Sequence, residues 1–226
     1  MIFQRLREIY KEIEVLLTQQ SSLVDSIVPP ILFVIANELF GFDAAMWTAL
    51  IVAVVIGLVR IVRGQSVWYA AGGALTVLGT IGLVLLFGED EAFFIPGILT
   101  TALTVLGGVI SLIARRPMLA WMSFIARRWP QKWYWRDDVR PAYMETTFVW
   151  TLYFVAKLWV QARAYQAGDT DALAWLALIL GTPGVLTLLV FTYVYGTWRL
   201  RKMAGPSVQE FKDDAPPPWK SQRSGF

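Results

Sequence analysis

The fold is decided by stretches such as residues 67–87, which read VWYAAGGALTVLGTIGLVLLF. The stretch has no charged side chain. A helix needs about 20 predominantly apolar residues to cross a hydrocarbon core about 30 Å thick. The stretch is therefore predicted to be a transmembrane helix.

The composition of the whole chain also indicates a membrane protein. Of the 226 residues, 56% are hydrophobic and 16% are charged, whereas about a quarter of the residues of a soluble domain are charged. This balance favours lipid as the solvent and leaves little length for a soluble domain. An amphipathic stretch precedes the first apolar run and no small-residue cleavage pattern follows it, so we expect no signal-peptide processing.

Further apolar stretches predict an all-α integral membrane protein whose membrane domain spans residues 23–202. About six crossings are expected, near residues 27–40, 44–61, 67–87, 93–114, 142–165 and 173–198. The sixth is interrupted by Gly181-Thr182-Pro183-Gly184, because proline removes a helical hydrogen bond.

Three segments outside the crossings have their own character. Residues 1–22 have apolar positions three or four apart, which predicts an amphipathic helix on the cytoplasmic or interfacial side. Residues 118–140 are too charged to cross, and we expect an interfacial loop with a short helix. The tail, residues 203–226, is polar and proline-rich and is predicted to be disordered. The interfacial anchors are expected to be Trp121, Trp129, Trp133, Trp135, Arg115 and Arg116.

Charge predicts the orientation, because Lys and Arg are retained on the cytoplasmic side. All but Lys157 and Arg163 of the 20 Lys and Arg residues lie in the N-terminal segment, after the second, fourth and sixth crossings, or in the tail. Both termini are therefore expected in the cytoplasm, with three successive hairpins whose outer turns are acidic. The membrane expected is the bacterial inner membrane.

Several classes of chemistry are excluded by composition. The chain contains no cysteine and no histidine, which removes disulfides, thiolate nucleophiles, imidazole bases and the usual ligands of zinc, haem and copper. We expect no cofactor, no metal and no catalytic residue. The net charge of +3 is explained by orientation and anionic lipid, so no nucleic-acid partner is expected.

Polar residues within the crossings mark the candidate site, since ionisable groups in a bilayer are costly. Lys157 lies in the fifth crossing, and Glu38 or Asp43 is its expected ion-pair partner. Glu145 is about 18 Å from Lys157 along the same helix, too far to pair with it. The pair could lock helices together, Lys157 could extend its amine to water, or the group could bind a substrate or ion. The candidate polar site consists of Lys157, Gln161, Asn37, Glu38 and Pro183.

Several motifs resemble a bacterial family of membrane proteins with no assigned function, the domain of unknown function 3159 type. The likeness covers about Leu23 to Lys202 and is carried by Val28-Pro29-Pro30, Asn37, Arg60-Ile61-Val62-Arg63, Phe93-Phe94-Ile95-Pro96-Gly97-Ile98-Leu99, Arg115-Arg116-Pro117, Lys157-Leu158-Trp159-Val160-Gln161 and Pro183. Lys157 stands where that family usually has Arg, which keeps the charge and loses a planar bidentate donor.

More distantly, the chain is similar to intracellular septation protein A, in part through Asp90-Glu91-Ala92-Phe93. This likeness implies a role in envelope growth or division through membrane partners. The expected function is a non-enzymatic envelope-organisation factor or an accessory subunit of a membrane complex, with lipids and other membrane proteins or further copies as partners. The alternatives are a small transporter or channel using the Lys157 site, and a membrane-embedded lipid-modifying enzyme using carboxylates.

Overall fold

The computed structural model describes residues 23–62, 64, 67–222 and 225–226. Within this described part the secondary structure is helical and contains no strand. The amphipathic helix predicted for residues 1–22 lies outside it. The helices are α1 (Leu23–Phe40), α2 (Phe42–Val62), α3 (Val67–Phe87), a 3₁₀ turn (Asp90–Phe94), α4 (Ile95–Ile113), α5 (Met118–Arg127), α6 (Gln131–Tyr134), α7 (Arg140–Gln166), α8 (Thr170–Ile179), α9 (Thr182–Met203) and α10 (Val208–Lys212).

The apolar helices identify a membrane protein. Among the described residues, three helical stretches are long and apolar enough to cross a bilayer, namely Phe42–Val62, Asp90–Ile113 and Thr170–Met203. Large apolar side chains such as Leu85, Ile113 and Phe148 are exposed. Lipid solvates such side chains well, whereas a soluble monomer rarely exposes large contiguous apolar patches.

The chain forms two compact units. The first consists of the described residues in the ranges 23–96 and 164–182, and the second consists of the described residues in the ranges 97–163 and 183–226. In the first unit, α1 and α2 are joined at Gly41, whose φ of +83° suits glycine at a helix end. The Phe33 ring of α1 is stacked on the Phe93 ring of the 3₁₀ turn at 5.2 Å between centroids and meets Phe42 edge-on at 6.1 Å.

The second unit is built around an aromatic core where α5 and α6 pack against the start of α7. Trp133 and Tyr134 are both 0% exposed, and the Trp133 Nε1–H donates to the Pro206 carbonyl at 2.9 Å. This differs from the expectation that the Trp133 ring lies at the lipid headgroups. The protein satisfies the indole N–H internally, which removes the reason for that ring to stay half wet.

The tail also differs from the expectation of disorder. Residues Val208–Lys212 form α10, and Ser207 and Glu210 make a capping box at its start. Ser-x-x-Glu is a helix-start signature that satisfies two amide groups reciprocally. Composition averaged over the tail does not reveal this capping box, which depends on two residues at a fixed spacing.

Candidate functional site

Two of the predicted site residues lie on α1 in the first unit. The Asn37 side-chain amide donates to the Asp171 carboxylate of α8. One residue further along, the Glu38 carboxylate accepts from the Trp175 Nε1–H at 3.3 Å. Asp169 caps the start of α8 by accepting from the Ala172 amide at 2.8 Å. The side chains of Asn37 and Glu38 therefore connect α1 to α8.

Lys157 and Gln161 lie one turn apart on α7 in the second unit, and so share a helix face. The Lys157 Nζ lies 5.9 Å from the centre of the Phe154 ring, within cation–π range. Gln161 is 6% exposed, and its side-chain carbonyl has no hydrogen-bond partner among the described residues. Because an unpaired buried acceptor is costly, this carbonyl is a candidate ligand-binding group.

The helical break near Pro183 lies where the interruption was predicted. Helix α8 ends at Ile179, and the Leu180 amide donates back to the Leu176 carbonyl at 2.9 Å. A side chain at Gly181 would meet the Ala177 carbonyl oxygen at 2.2 Å. Helix α9 then begins at Thr182 with Pro183 in its first turn, where a missing amide hydrogen costs little.

The five predicted site residues are divided between the units. Asn37 and Glu38 belong to the first unit, while Lys157, Gln161 and Pro183 belong to the second. An ion pair from Lys157 to Glu38 or Asp43, and a cavity shared by all five residues, therefore stay predictions.

A polar cluster that sequence reasoning did not assemble connects α7 and α9 in the second unit. The Arg199 guanidinium donates to both carboxylate oxygens of Glu145, with Nη2 to Oε1 at 2.7 Å and Nε to Oε2 at 2.8 Å. The Tyr195 hydroxyl donates to Glu145 at 2.8 Å. Tyr195 and Arg199 are four residues apart and so share a helix face, which was the available sequence signal.

An open cavity of about 630 Å³ lies beside this cluster, with Glu145 and Tyr195 as its polar members. The other lining residues come from α4, α7 and α9 and are apolar, namely Leu112, Met144, Phe148, Val149 and Phe191. An apolar lining with a few polar groups is typical of small-molecule sites.

The predicted interfacial anchors lie on α5 and α6 or in the segments beside them. The Arg116 guanidinium lies over the Trp135 ring at 4.5 Å, and that of Arg127 lies over the Trp129 ring at 5.1 Å. Trp121 is packed against Trp135 at 5.5 Å between centroids and is 40% exposed. Arg115 is exposed and has a positive φ of 53° just after α4. These cation–π contacts stabilise the segment that follows α4.

Two titratable groups near this segment have shifted pKa values. Burial raises the pKa of the Tyr134 phenol above its ordinary value, although its hydroxyl lies 3.1 Å from the Ser123 hydroxyl. The bidentate contact with Asp138 raises the pKa of Arg136. Both residues therefore keep their ordinary charge states at neutral pH.

The acidic turn before α4 contains the carboxylates that a lipid-modifying enzyme would need. Glu89 and Asp90 are exposed, and Glu91 is half-buried. In the part of the chain that the structure describes, no group of three or more acidic residues could hold a metal ion.

Helices of this length and apolarity define an integral membrane protein with polar groups joining its helices. Residues 19–202 match the family described as Protein of unknown function (DUF3159), and the chain belongs to that family. No curated protein and no solved structure matched the chain.

Proposed function

We propose that this protein is a non-enzymatic organising factor of the bacterial cell envelope or an accessory subunit of a larger membrane complex. It crosses the inner membrane about six times as three hairpins, with both termini in the cytoplasm. The distant resemblance to intracellular septation protein A favours envelope growth or division as the process. The partners are membrane lipids and other membrane proteins, including further copies of the chain.

The contact that carries this proposal is the Glu145–Arg199 ion pair with the Tyr195 hydroxyl. The Arg199 guanidinium and the Glu145 carboxylate bind each other and join α9 to α7, which is the geometry of an ion pair that holds two helices together. The same two helices expose bulky side chains, including Trp159, which is 65% exposed, and Trp198. Large aromatic side chains are frequent anchors of protein interfaces.

A photo-crosslinking experiment in native membranes tests the partner. A photoreactive amino acid replaces Trp159, and in a matched control it replaces Leu103, which is similarly exposed on α4. We expect a reproducible adduct of defined mass from position 159 and not from position 103. If neither site gives an adduct and mild-detergent purification returns no partner, the accessory-subunit proposal is wrong.

A second experiment tests the topology by cysteine labelling, which is possible because the chain contains no cysteine of its own. Single cysteines are placed at Asp90 and Asp169, which are expected outside, and at Arg115 and Lys202, which are expected inside. A membrane-impermeant maleimide added to intact cells should label the first two positions and spare the others. Labelling of Lys202→Cys in intact cells would contradict a cytoplasmic C-terminus.

A small transporter or channel is the second candidate. It is favoured by the buried Gln161 carbonyl, which lies one turn from Lys157 and has no hydrogen-bond partner in the described part of the chain. A polar pair of this kind suits a solute that can donate a hydrogen bond. In proteoliposomes, Lys157→Ala and Gln161→Leu should both reduce ion or solute flux, while Arg163→Ala, exposed on the same helix, should not. Equal flux in all the variants would exclude this candidate.

A further inference from the structure

The open cavity between α4, α7 and α9 has an ion pair at the edge of an apolar space. Its polar lining residues are Glu145 and Tyr195, and the Arg199 guanidinium binds the same Glu145 carboxylate from α9. The cavity volume of about 630 Å³ lies within the range of about 300 to 1,000 Å³ that is typical of ligand sites. A ligand for this cavity needs an apolar body and a polar group that can interact with an ion pair.

The cavity lies near the ends of its three helices. Leu112 is in the last turn of α4. Glu145 lies five residues after the start of α7 at Arg140, and Arg199 lies four residues before the end of α9 at Met203. Each is therefore about 6 to 8 Å along the axis from its helix end. Since α4 and α9 belong to stretches long and apolar enough to cross a bilayer, the ion pair lies near the depth of the lipid headgroups.

The apolar lining continues from the ion pair away from these helix ends. Phe148 lies three residues beyond Glu145 on α7, and Phe191 lies one turn before Tyr195 on α9. The Phe191 and Tyr195 rings are stacked, with 5.3 Å between centroids and 12° between planes. Phe148 is 58% exposed and Phe191 is 37% exposed. An acyl chain covers apolar side chains of this kind better than water does.

The ion pair can accept both a donor and an acceptor from a ligand. The Glu145 carboxylate accepts from the Arg199 Nε and Nη2 groups and from the Tyr195 hydroxyl, and a carboxylate has lone pairs for a further donor. An oxygen that binds the Arg199 Nη1 group does not compete with Glu145. The Arg199 and Glu145 side chains are 27% and 35% exposed, so both can be reached.

These features distinguish among phospholipid headgroups. Phosphatidylethanolamine has a primary ammonium, whose N–H groups can donate to Glu145, and a phosphate one short linker away, which can accept from Arg199. Phosphatidylcholine carries a quaternary ammonium without an N–H donor. Phosphatidylglycerol has a net negative charge, whereas Glu145 and Arg199 together have none. The zwitterionic headgroup with a primary ammonium therefore fits the ion pair best.

We propose that this cavity is a binding site for phosphatidylethanolamine. The ammonium binds Glu145, the phosphate binds the Arg199 Nη1 group, and one acyl chain lies along Phe148 and Phe191. This inference rests on the proposed function in taking membrane lipid as a partner, and adds the class of lipid and the residues that recognise it. The ion pair that joins α7 to α9 is then also the headgroup site.

A graded series of lipids tests the headgroup contact on the unaltered, full-length protein. Phosphatidylethanolamine, its N-methyl and N,N-dimethyl derivatives, phosphatidylcholine and phosphatidylglycerol, all with the same acyl chains, compete for the protein in detergent, and native mass spectrometry measures each bound lipid. We expect binding to fall along the methylation series, by about tenfold from its first member to phosphatidylcholine, because each methyl group removes an N–H donor to a carboxylate. Equal binding of all five lipids, or tightest binding of phosphatidylcholine or phosphatidylglycerol, would overturn the site.

Two variants place the preference at this cavity. Leu112→Trp fills the cavity from α4 and leaves Glu145 and Arg199 in place, so it should lose most of the phosphatidylethanolamine binding. Leu103→Trp is the matched control, since Leu103 is 59% exposed on the same helix and does not line the cavity, and it should bind as the parent does. Glu145→Gln removes the carboxylate charge and should lose the preference over phosphatidylcholine. An unchanged preference in both Leu112→Trp and Glu145→Gln would refute a site in this cavity.

Failure of this inference can be told apart from failure of the proposed function. If the lipids bind equally and a photoreactive residue at Trp159 still gives a protein adduct, the lipid site is wrong and the accessory-subunit proposal stands. If phosphatidylethanolamine is preferred and neither an adduct nor a co-purifying protein is found, the lipid site stands and the accessory-subunit proposal is wrong.

Discussion

Arg199 and Glu145 form a two-pronged ion pair between α9 and α7, with the Arg199 Nη2 atom 2.7 Å from Glu145 Oε1. The side chains are 27% and 35% exposed. The Tyr195 hydroxyl adds a third donor to the same carboxylate. Charge-assisted bonds in a fork geometry fix both the distance and the rotation of two helices.

Replacing Arg199 with alanine should destabilise the second unit. We expect a loss of about 1 to 2 kcal/mol, because Glu145 then keeps, among the described residues, the Tyr195 hydroxyl as its hydrogen-bond donor and the pair is partly exposed. Arg199→Lys should lie between parent and Arg199→Ala, since lysine keeps the charge and loses the fork. Thermal unfolding in mild detergent measures these differences.

The control for this pair is Arg163→Ala, which removes an exposed arginine from α7 and should change stability little. The exchange variant Glu145→Arg/Arg199→Glu should recover part of the loss. If Arg199→Ala and Arg163→Ala unfold at the same temperature, the ion pair does not stabilise the protein.

A second prediction concerns Gly108, where an added side chain should disturb the packing of α4 against α7 and lower the stability. A Cβ at Gly108 would lie 2.4 Å from the Thr151 Oγ1 atom, whereas one at Gly107 would have nothing within 4 Å. Small residues of this kind let membrane helices approach closely. Gly108→Ala should cost about 1 to 3 kcal/mol through overpacking.

Gly107→Ala is the matched control and should be neutral or stabilising by up to about 1 kcal/mol, since alanine has the higher helix propensity. Adding Thr151→Ala to Gly108→Ala should restore part of the loss by removing the atom that clashes. Equal unfolding temperatures for Gly107→Ala and Gly108→Ala would show that α4 and α7 do not approach closely.

Replacing Gln161 with an apolar residue should increase the free energy of unfolding. Its buried carbonyl lacks a partner among the described residues, so Gln161→Met, of similar length, should stabilise the protein by about 1 kcal/mol. Gln166→Met, at the exposed end of α7, should have little effect. A clear loss of stability in Gln161→Met would show that the carbonyl makes a hydrogen bond in the folded protein.

The carboxylate in the α10 capping box should make the ordering of the tail depend on pH. The Lys220 amide, together with the amide and hydroxyl of Ser207, lowers the pKa of Glu210 below its ordinary value. A carboxyl whose pKa is lowered by folding contributes stability above its ordinary pKa and loses that contribution as the pH falls through the lowered value. Tail ordering should therefore weaken only in acid, below the ordinary glutamate pKa.

A nitroxide attached at Ser221→Cys measures this transition by electron paramagnetic resonance. Its mobility should rise as the pH falls through that range. Glu210→Gln should remove the dependence, because the amide does not titrate, and should leave the label more mobile at neutral pH. An identical pH profile in Glu210→Gln would place the titrating group elsewhere.

The helical elements could be predicted because they follow from local patterns. The apolar stretch at residues 67–87 forms the helix α3, and the break expected near Pro183 separates α8 from α9. Apolar length is a property of one contiguous stretch of chain, and proline acts within one turn of helix, so the sequence shows both directly. The tail contains a helix where its composition predicts disorder, because the capping box of Ser207 and Glu210 starts a helix locally.

The pairing of polar groups could not be predicted in the same way. The sequence identifies Glu145 as an ionisable residue near one end of its helix, but its partner Arg199 lies 54 positions further along the chain. Asn37 donates to Asp171 in the first unit, a partner that the sequence did not indicate, and its expected place near Lys157 stays a prediction. A side-chain pair depends on the rotation of each helix about its axis, which many distant contacts decide together.

By itself, the sequence determined that this protein is an all-helical membrane protein, because the solvation of apolar stretches is set residue by residue. Only the tertiary structure decided that Arg199 binds Glu145, that the Gln161 carbonyl is buried, and that Phe226 is stacked on Tyr143. Those contacts require two helices, or a helix and the tail, to meet within about 3 to 4 Å with defined rotations. No local pattern in the chain encodes such a meeting.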